Sequence, residues 1–429
     1  MASSLSRKGY KKVDILTHKL DGYRASPYEV IERKGVGHPD TLADTLAEKL
    51  SVAYSAYTLD NFDAVLHHNF DKLSLLGGNS YVAFGMGYLT RPIRIVLNGR
   101  ASTKFDGREI PVRELLETTA KDFIFSEFPM IDEKDVEILY QLSNASSPGK
   151  VNHDTKEEGT RKFWFEPRGL HDLSERQFLA SNDTSIGCAY APLSRLEETV
   201  IELEKYLNMS YRQDNTWLGA DIKIAAFGSP EEMGITICLP QLSLQTPDIG
   251  SYRNNMEKVV ADIRDFVDRR DERRFSINAN MRDNYDTCEL YLTVTGSSIE
   301  SGDEGVVGRG NRLNGIISAT RPFSMEAVCG KNPVYHVGKV YNVIANNIAR
   351  RLYEMTGDYV EVFLISQSGR ALKDPWKTMV GMKKRLPDEQ LVRDVVIDEL
   401  DKSDKITEGI VRGKITLSPF LHIPIDFDR

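Results

Sequence analysis

Stretches with an apolar residue at every second position alternate, along the whole chain, with stretches repeating every three to four residues, which restricts the fold more than any other feature. The helical period predicts helices over 40–57, 111–128, 193–207, 252–270, 337–353 and, as the last one, 388–400. In the first, Leu42, Leu46, Leu50, Ala53 and Tyr57 share a face, and Pro39 stands at the first helical position, where its missing N–H costs nothing. Strands are predicted over 65–76, 92–97, 136–142, 221–227, 235–244, 275–280, 289–295 and 359–365, with Asp106-Gly107 as a hairpin turn. The strands fall largely in pairs between helices, which points to an α+β class and away from a doubly wound sheet.

At 429 residues the chain has room for two to four domains, and 41% hydrophobic residues supply their cores. A formal net charge of −8 argues against non-specific nucleic-acid binding and against anionic membrane surfaces, both of which call for a basic surface. No run approaches the ~20 apolar residues of a membrane span. The polar, basic stretch Met1 to Lys12 lacks the apolar centre of a signal peptide, so a cytoplasmic location is expected. Cys188, Cys238, Cys288 and Cys329 are widely spaced and form no CxxC pair, as expected of thiols in a reducing compartment.

Three glycine-bearing turns carry candidate chemistry. In Glu32-Arg-Lys-Gly-Val-Gly-His-Pro-Asp40, Gly35 and Gly37 allow a tight turn that places His38 near an N-cap and Asp40 in a first helical turn. The backbone N–H groups and dipole there favour phosphate oxygens, and Asp40 offers a carboxylate to a divalent ion. An ordinary capping turn would look the same. Ser301 to Arg312, SGDEGVVGRGNR, has the glycines, arginines and carboxylates of a polyanion nest, or of a flexible solvated loop. It is neither a Walker A loop nor a dinucleotide fingerprint. Gly330 to Lys339, GKNPVYHVGK, sets Lys331 and Lys339 around a helix start, an arrangement that an anionic ligand relieves. Asn182 and Asp183 lie in a short polar turn, and Lys223 follows Asp221 on one strand face. The polar stretch 143–177, with Phe163, Trp164 and Phe165, reads as a lid or partner contact, or as local surface packing.

Together these motifs resemble the S-adenosylmethionine synthetases, specifically the archaeal-type branch. The likeness rests on ERKGVGHPDTLAD, HHNFD at His67, NDTS at Asn182, APLS at Ala191, SGDEGVVGRGNR, SMEA at Ser324 and GKNPVYHVGK, in that order. It implies three similar α+β domains of paired strands with helices on one face, divided here as an extension 1–27 and regions 28–178, 179–290 and 291–429. It implies an enzyme joining methionine to ATP and cleaving the triphosphate to phosphate and pyrophosphate, as a homodimer with shared active sites. His38 then meets the oxygen leaving the ribose 5′ carbon, and Asp40 binds magnesium. Lys223, Arg309 and Lys331 face the triphosphate, and Asp183 and Asp303 lie around methionine and the nucleoside. Asn182, Arg312 and Lys339 join the substrate contacts by position and charge. The three turns are expected to converge on one polyphosphate. Potassium stays an open point.

The chain departs from that pattern at Phe70, Met86 and Tyr335, where smaller residues are expected, and at Val337, where the commoner branch has a second magnesium carboxylate. The stretch 143–177 replaces a short glycine-rich acidic turn. Bulky residues of this kind raise the alternative of the same sulfonium-forming reaction on another nucleotide, such as CTP, or another thioether. A catalytically silent nucleotide-binding regulator is a further alternative, opposed by the intact charged set.

Overall fold

The computed structural model describes residues 13–20, 27–145, 163–384 and 388–417. Within them the chain builds three main sheets, and each collects strands from distant stretches. The first orders Val136–Ser143, Ile93–Ala101, Ser74–Leu76 and Gly305–Val306, with His68–Asn69 also on Ile93–Ala101. The second orders Arg274–Ala279, Glu232–Cys238, Lys223–Gly228, Glu29–Lys34 and Ile317–Ser318. The third orders Ile15–Lys19, Lys377–Met382, Val360–Ile365 and Ile186–Ala191. The fold is α+β.

The helix Pro39–Phe62 lies between the first and third units and is buried on nearly every side. Its leucines alone predict a stripe, but Ser51, Ser55 and Thr58 are also buried, Thr58 returning its hydroxyl proton to the Tyr54 carbonyl at 3.0 Å. One hydrophobic core therefore runs through the first and third sheets by way of this helix and Val337–Thr356. A separate core packs the helices Arg195–Lys205 and Ile249–Asp268 together on one face of the second sheet. Packing of this kind decides which strand joins which sheet, and local pattern does not.

Several expectations shift by a few residues, and some shift more. The predicted strand 65–76 is two short ones, because Phe70 turns inward to pack edge-on against Tyr54. Of 289–295 only Leu292–Thr293 is strand. The helix near residue 400 is not the last, since Ser403–Val411 follows it almost at once. The hairpin turn sits where expected, with Asp106 and Gly107 both at positive φ. Residues 146–162 of the 143–177 stretch lie outside the described residues. No helix among the described residues is long and apolar enough to cross a membrane.

Candidate active site

The strand Glu29–Lys34 runs straight into the turn 35–37, and this turn delivers His38 as N-cap of the long helix. Neither Gly35 nor Gly37 adopts the left-handed backbone expected of a tight turn. They are small because another chain segment crosses them: a Cβ on Gly37 would stand 2.6 Å from the Ala220 carbonyl carbon. That crossing, with Gly35 N–H donating to Ile222 O at 2.7 Å, brings Asp221 and Lys223 beside His38. Lys223 lies opposite Lys34 in the strand register.

The loop 297–312 folds over the same helix start. Val306 N–H donates to Asp40 Oδ1 at 3.0 Å, while Gly308 and Gly310 N–H donate to Asp44 at 2.7 and 3.1 Å. Ser298 N–H and Oγ–H donate to Asp221, and Ser298 also reaches Asp303 at 3.0 Å. Lys34 Nζ links Asp40 Oδ2 at 2.9 Å to the Arg309 carbonyl at 2.7 Å. Arg309 and Asp303 are exposed, and Lys223 is half-exposed and 3.5 Å from Glu32. The first two turns thus come together around His38, with Lys34, Lys223 and Arg309 as cations.

Electrostatics favour a neutral His38. Burial lowers its pKa below the usual histidine value, although Asp221 and Asp40 pull the other way. Its Nδ1 accepts the Asp40 N–H at 3.1 Å, so in the neutral ring the proton sits on Nε2. Beneath it, burial pushes the fully enclosed Asp44 carboxyl up to about 7.

Close approach makes the loop intolerant of side chains. A Cβ on Gly305 would lie 2.0 Å from the Pro39 carbonyl oxygen. Gly305→Ala is expected to cost about 1–3 kcal/mol and to lift the loop from Asp40. Denaturant melts and turnover measured together check this; wild-type values for both would show that the loop adjusts freely.

Lys331 does not join this group within one chain. It lines a cavity of about 740 Å³ with Asn182, Asp183, His67, Tyr335 and Glu175. There its ammonium is buried against Glu326 and lies 3.6 Å from Asp71. Its turn abuts Ser51, whose hydroxyl meets the Lys331 carbonyl. Ser51 stands eleven positions after Asp40 on the helix, about 16 Å along the axis. Asn182 Oδ1 accepts Val337 N–H at 3.1 Å and so helps close the next helix start. Asp183 is exposed.

Two charge-based assignments give way to structural ones. Lys339 is fully buried and held by both Glu48 oxygens at 2.8 Å, so its charge is already matched. Arg312 spends its guanidinium on the carbonyls of Gly308, Gly310 and Ser324 and steadies the loop from inside. The three bulky departures also scatter: Phe70 is core, Met86 is 48% exposed on the hairpin Asn79–Ala83 to Met86–Arg91, and only Tyr335 lines the cavity.

Sequence reasoning passed over Lys34, Asp44 and Glu175. Asp44 had a signal, standing four residues after Asp40 on one helix face. Lys34 stood in the first glycine turn, though its link to the Arg309 carbonyl depends on a segment far along the chain. Glu175 had no signal, because it lies in a stretch without periodicity. As a metal centre, Asp40 suits a hard cation that takes oxygen ligands, and Mg²⁺ commonly uses only one or two carboxylates with the rest from water and phosphate. No cluster of three or more His, Cys, Asp or Glu fit for a metal occurs among the described residues. Asp40 therefore fits magnesium carried on a polyphosphate, once Lys34 shares its carboxylate.

A family model described as S-adenosylmethionine synthetase (AdoMet synthetase) matches residues 11–414. The S-adenosylmethionine synthase of Hyperthermus butylicus is 35% identical over 416 residues, covering 93% of this chain and 97% of that protein. The probable S-adenosylmethionine synthase of Aquifex aeolicus is 36% identical, covering 87% and 91%. Among solved structures, an unusual S-adenosylmethionine synthetase from Campylobacter jejuni shares the fold with a TM-score of 0.54 at 15% identity, covering 91% of this chain and 89% of that one.

Proposed function

The chain belongs to the S-adenosylmethionine synthetase family, and on that premise we propose that it is a methionine adenosyltransferase whose active site is completed between two protomers. It makes S-adenosylmethionine from methionine and ATP. The CTP alternative loses its footing, since two of the three bulky departures lie away from the cavity and full-length relatives carry the name of the ATP-linked product.

The thioether sulfur is a modest nucleophile, so attack on the ribose 5′ carbon depends on alignment and on a stabilised leaving triphosphate. His38 Nε2–H donates to the departing oxygen. Lys223 and Arg309 spread the triphosphate charge from one protomer, and the partner's cavity presents Lys331. Asp40, helped by the nearby loop, would hold magnesium, which supplies charge neutralisation on the phosphates when bound. The same cations keep the triphosphate in place for hydrolysis to phosphate and pyrophosphate.

The observation that carries the two-protomer reading is the separation of the His38 group from Lys331 along one buried helix. A second observation supports it. The outer face of the second sheet exposes Val30, Ala225 and Phe227 beside Lys223, where a solvated face would be polar. An isologous contact on that face buries the apolar strip and joins the half-sites twice.

Complementation tests this directly. His38→Ala and Lys331→Ala are each expected to make little S-adenosylmethionine from methionine and ATP. Co-expressed, half of the randomly paired dimers hold one intact site of two, so about a quarter of wild-type activity should return. Activity no higher than the two single variants would put each site within one chain.

A further inference from the structure

The stretch after the first sheet contributes a wall to the Lys331 cavity that the proposed chemistry has not used. His67 sits in a stack, with ring centroids 6.1 Å from Trp164, 5.7 Å from Phe165 and 4.8 Å from Tyr335. Its Nδ1 is bonded to the Tyr335 hydroxyl at 2.5 Å. On the other side, His67 Nε2 lies 3.6 Å from Glu175, and both side chains are about nine-tenths buried. Neither His67 Nε2 nor Glu175 Oε1 has a hydrogen-bond partner among the described residues. Burial raises the Glu175 pKa, and burial likewise keeps His67 neutral, near 4.

One buried carboxylate oxygen is left without a hydrogen bond beside a neutral imidazole, although Ser174 and the charge of Arg176 support the group as a whole. A cation arriving in the cavity would relieve that oxygen. The cavity volume, about 740 Å³, is that of a small-molecule site, and its exposed rim carries Arg100 and Lys72. One small ligand has a cation, an anion and an apolar, sulfur-bearing chain in that order of need. An α-amino acid thioether puts its ammonium on Glu175, its carboxylate toward the rim cations and its sulfur along the aromatic edges, contacts that sulfur favours. A neutral nucleobase would leave the carboxylate unmatched.

We propose that Glu175, His67, Trp164 and Tyr335 form the amino-acid specificity wall of this enzyme, with Glu175 reading the substrate ammonium. The assignment rests on the activity proposed above and adds the residues that choose the thioether. It makes the segment 163–177 part of the substrate site rather than a surface ornament.

Steady-state kinetics of wild type and Glu175→Gln, with methionine and with its desamino analogue 4-(methylthio)butanoate, test it. Loss of a charged hydrogen bond is expected to raise the methionine KM about 10-fold or more. The preference for methionine over the analogue should shrink by a similar factor, and the KM for ATP should stay within about two-fold of wild type. A merely structural role would move both acceptors alike. Trp164→Phe should keep the methionine KM, and Trp164→Ala should raise it. Should Glu175→Gln fail to fold, Glu175→Asp is read the same way. An unchanged methionine preference in an active enzyme overturns this inference and leaves the activity standing. A rise confined to ATP overturns it by assigning Glu175 to the nucleotide instead of the amino acid. A wild-type protein that makes no S-adenosylmethionine sinks the underlying reading instead.

Discussion

His38→Ala lowers kcat by about 10²–10⁴, the range for a lost proton donor at a reacting oxygen, while the protein stays folded. The size follows from the tautomer. With Nδ1 occupied by the Asp40 N–H, the ring can offer only Nε2–H, and alanine removes it. The same change also removes an N-cap, worth about 0.5–2 kcal/mol of stability. His38→Asn separates the two effects, because its side-chain oxygen can still accept the Asp40 N–H. It should melt near wild type and remain slow. A variant within about three-fold of wild-type kcat would remove His38 from the chemistry.

The pH dependence carries a sign that can be checked in the same experiment. Burial holds the folded pKa of His38 below its unfolded value of 6.5. The neutral ring, and the stability it contributes, are therefore fully present above that value and are lost as pH falls through the lower folded pKa. Turnover should persist as pH drops past the usual histidine range and decline only at more acid pH. Protonation would place a proton on Nδ1 facing the Asp40 N–H. The acid limb assigned to this group should vanish in His38→Asn.

Lys339→Met destabilises the protein by about 3–5 kcal/mol, the usual cost of orphaning one partner of a buried ion pair. It strands the Glu48 carboxylate on the central helix with only the Gly330 N–H, at 2.9 Å. Because that helix belongs to the core shared by the first and third sheets, the loss should appear as a lower melting temperature for the whole cooperative unit. Glu48→Leu combined with Lys339→Met should recover most of the loss, since two apolar groups need no counter-charge. A single variant costing under about 1 kcal/mol would show that water already reaches the pair. A raised KM for ATP at unchanged stability would return Lys339 to the substrate.

The buried pair also shows where legibility ended. From sequence, Lys331 and Lys339 look alike: two lysines around a helix start, both opposing the dipole. In the fold, the helical repeat turns Lys339 inward onto Glu48, while Lys331 stays at the end of a turn that opens into a cavity. Arg309 and Arg312 divide in the same way within one glycine-rich loop, one exposed and the other bonded to the loop's own carbonyls. Charge and spacing select residue types for an anion site. How fully the fold already satisfies each cation, and whether it opens onto a cavity or solvent, decides which of them remains available.

By itself, the sequence determined the class of fold, the family, and the local turns: alternating periods, Pro39 and Asp106-Gly107 act through neighbours a few residues apart, and such interactions survive any rearrangement of the rest. Only the tertiary structure decided that Gly37 is small because Ala220 crosses it, that Asp221 stands beside His38, that Lys331 faces a different space from Arg309, and that one buried oxygen of Glu175 has no hydrogen bond among the described residues. Each of these depends on contacts between segments far apart in the chain, made by packing shared cores, and no local pattern encodes which distant segment will arrive.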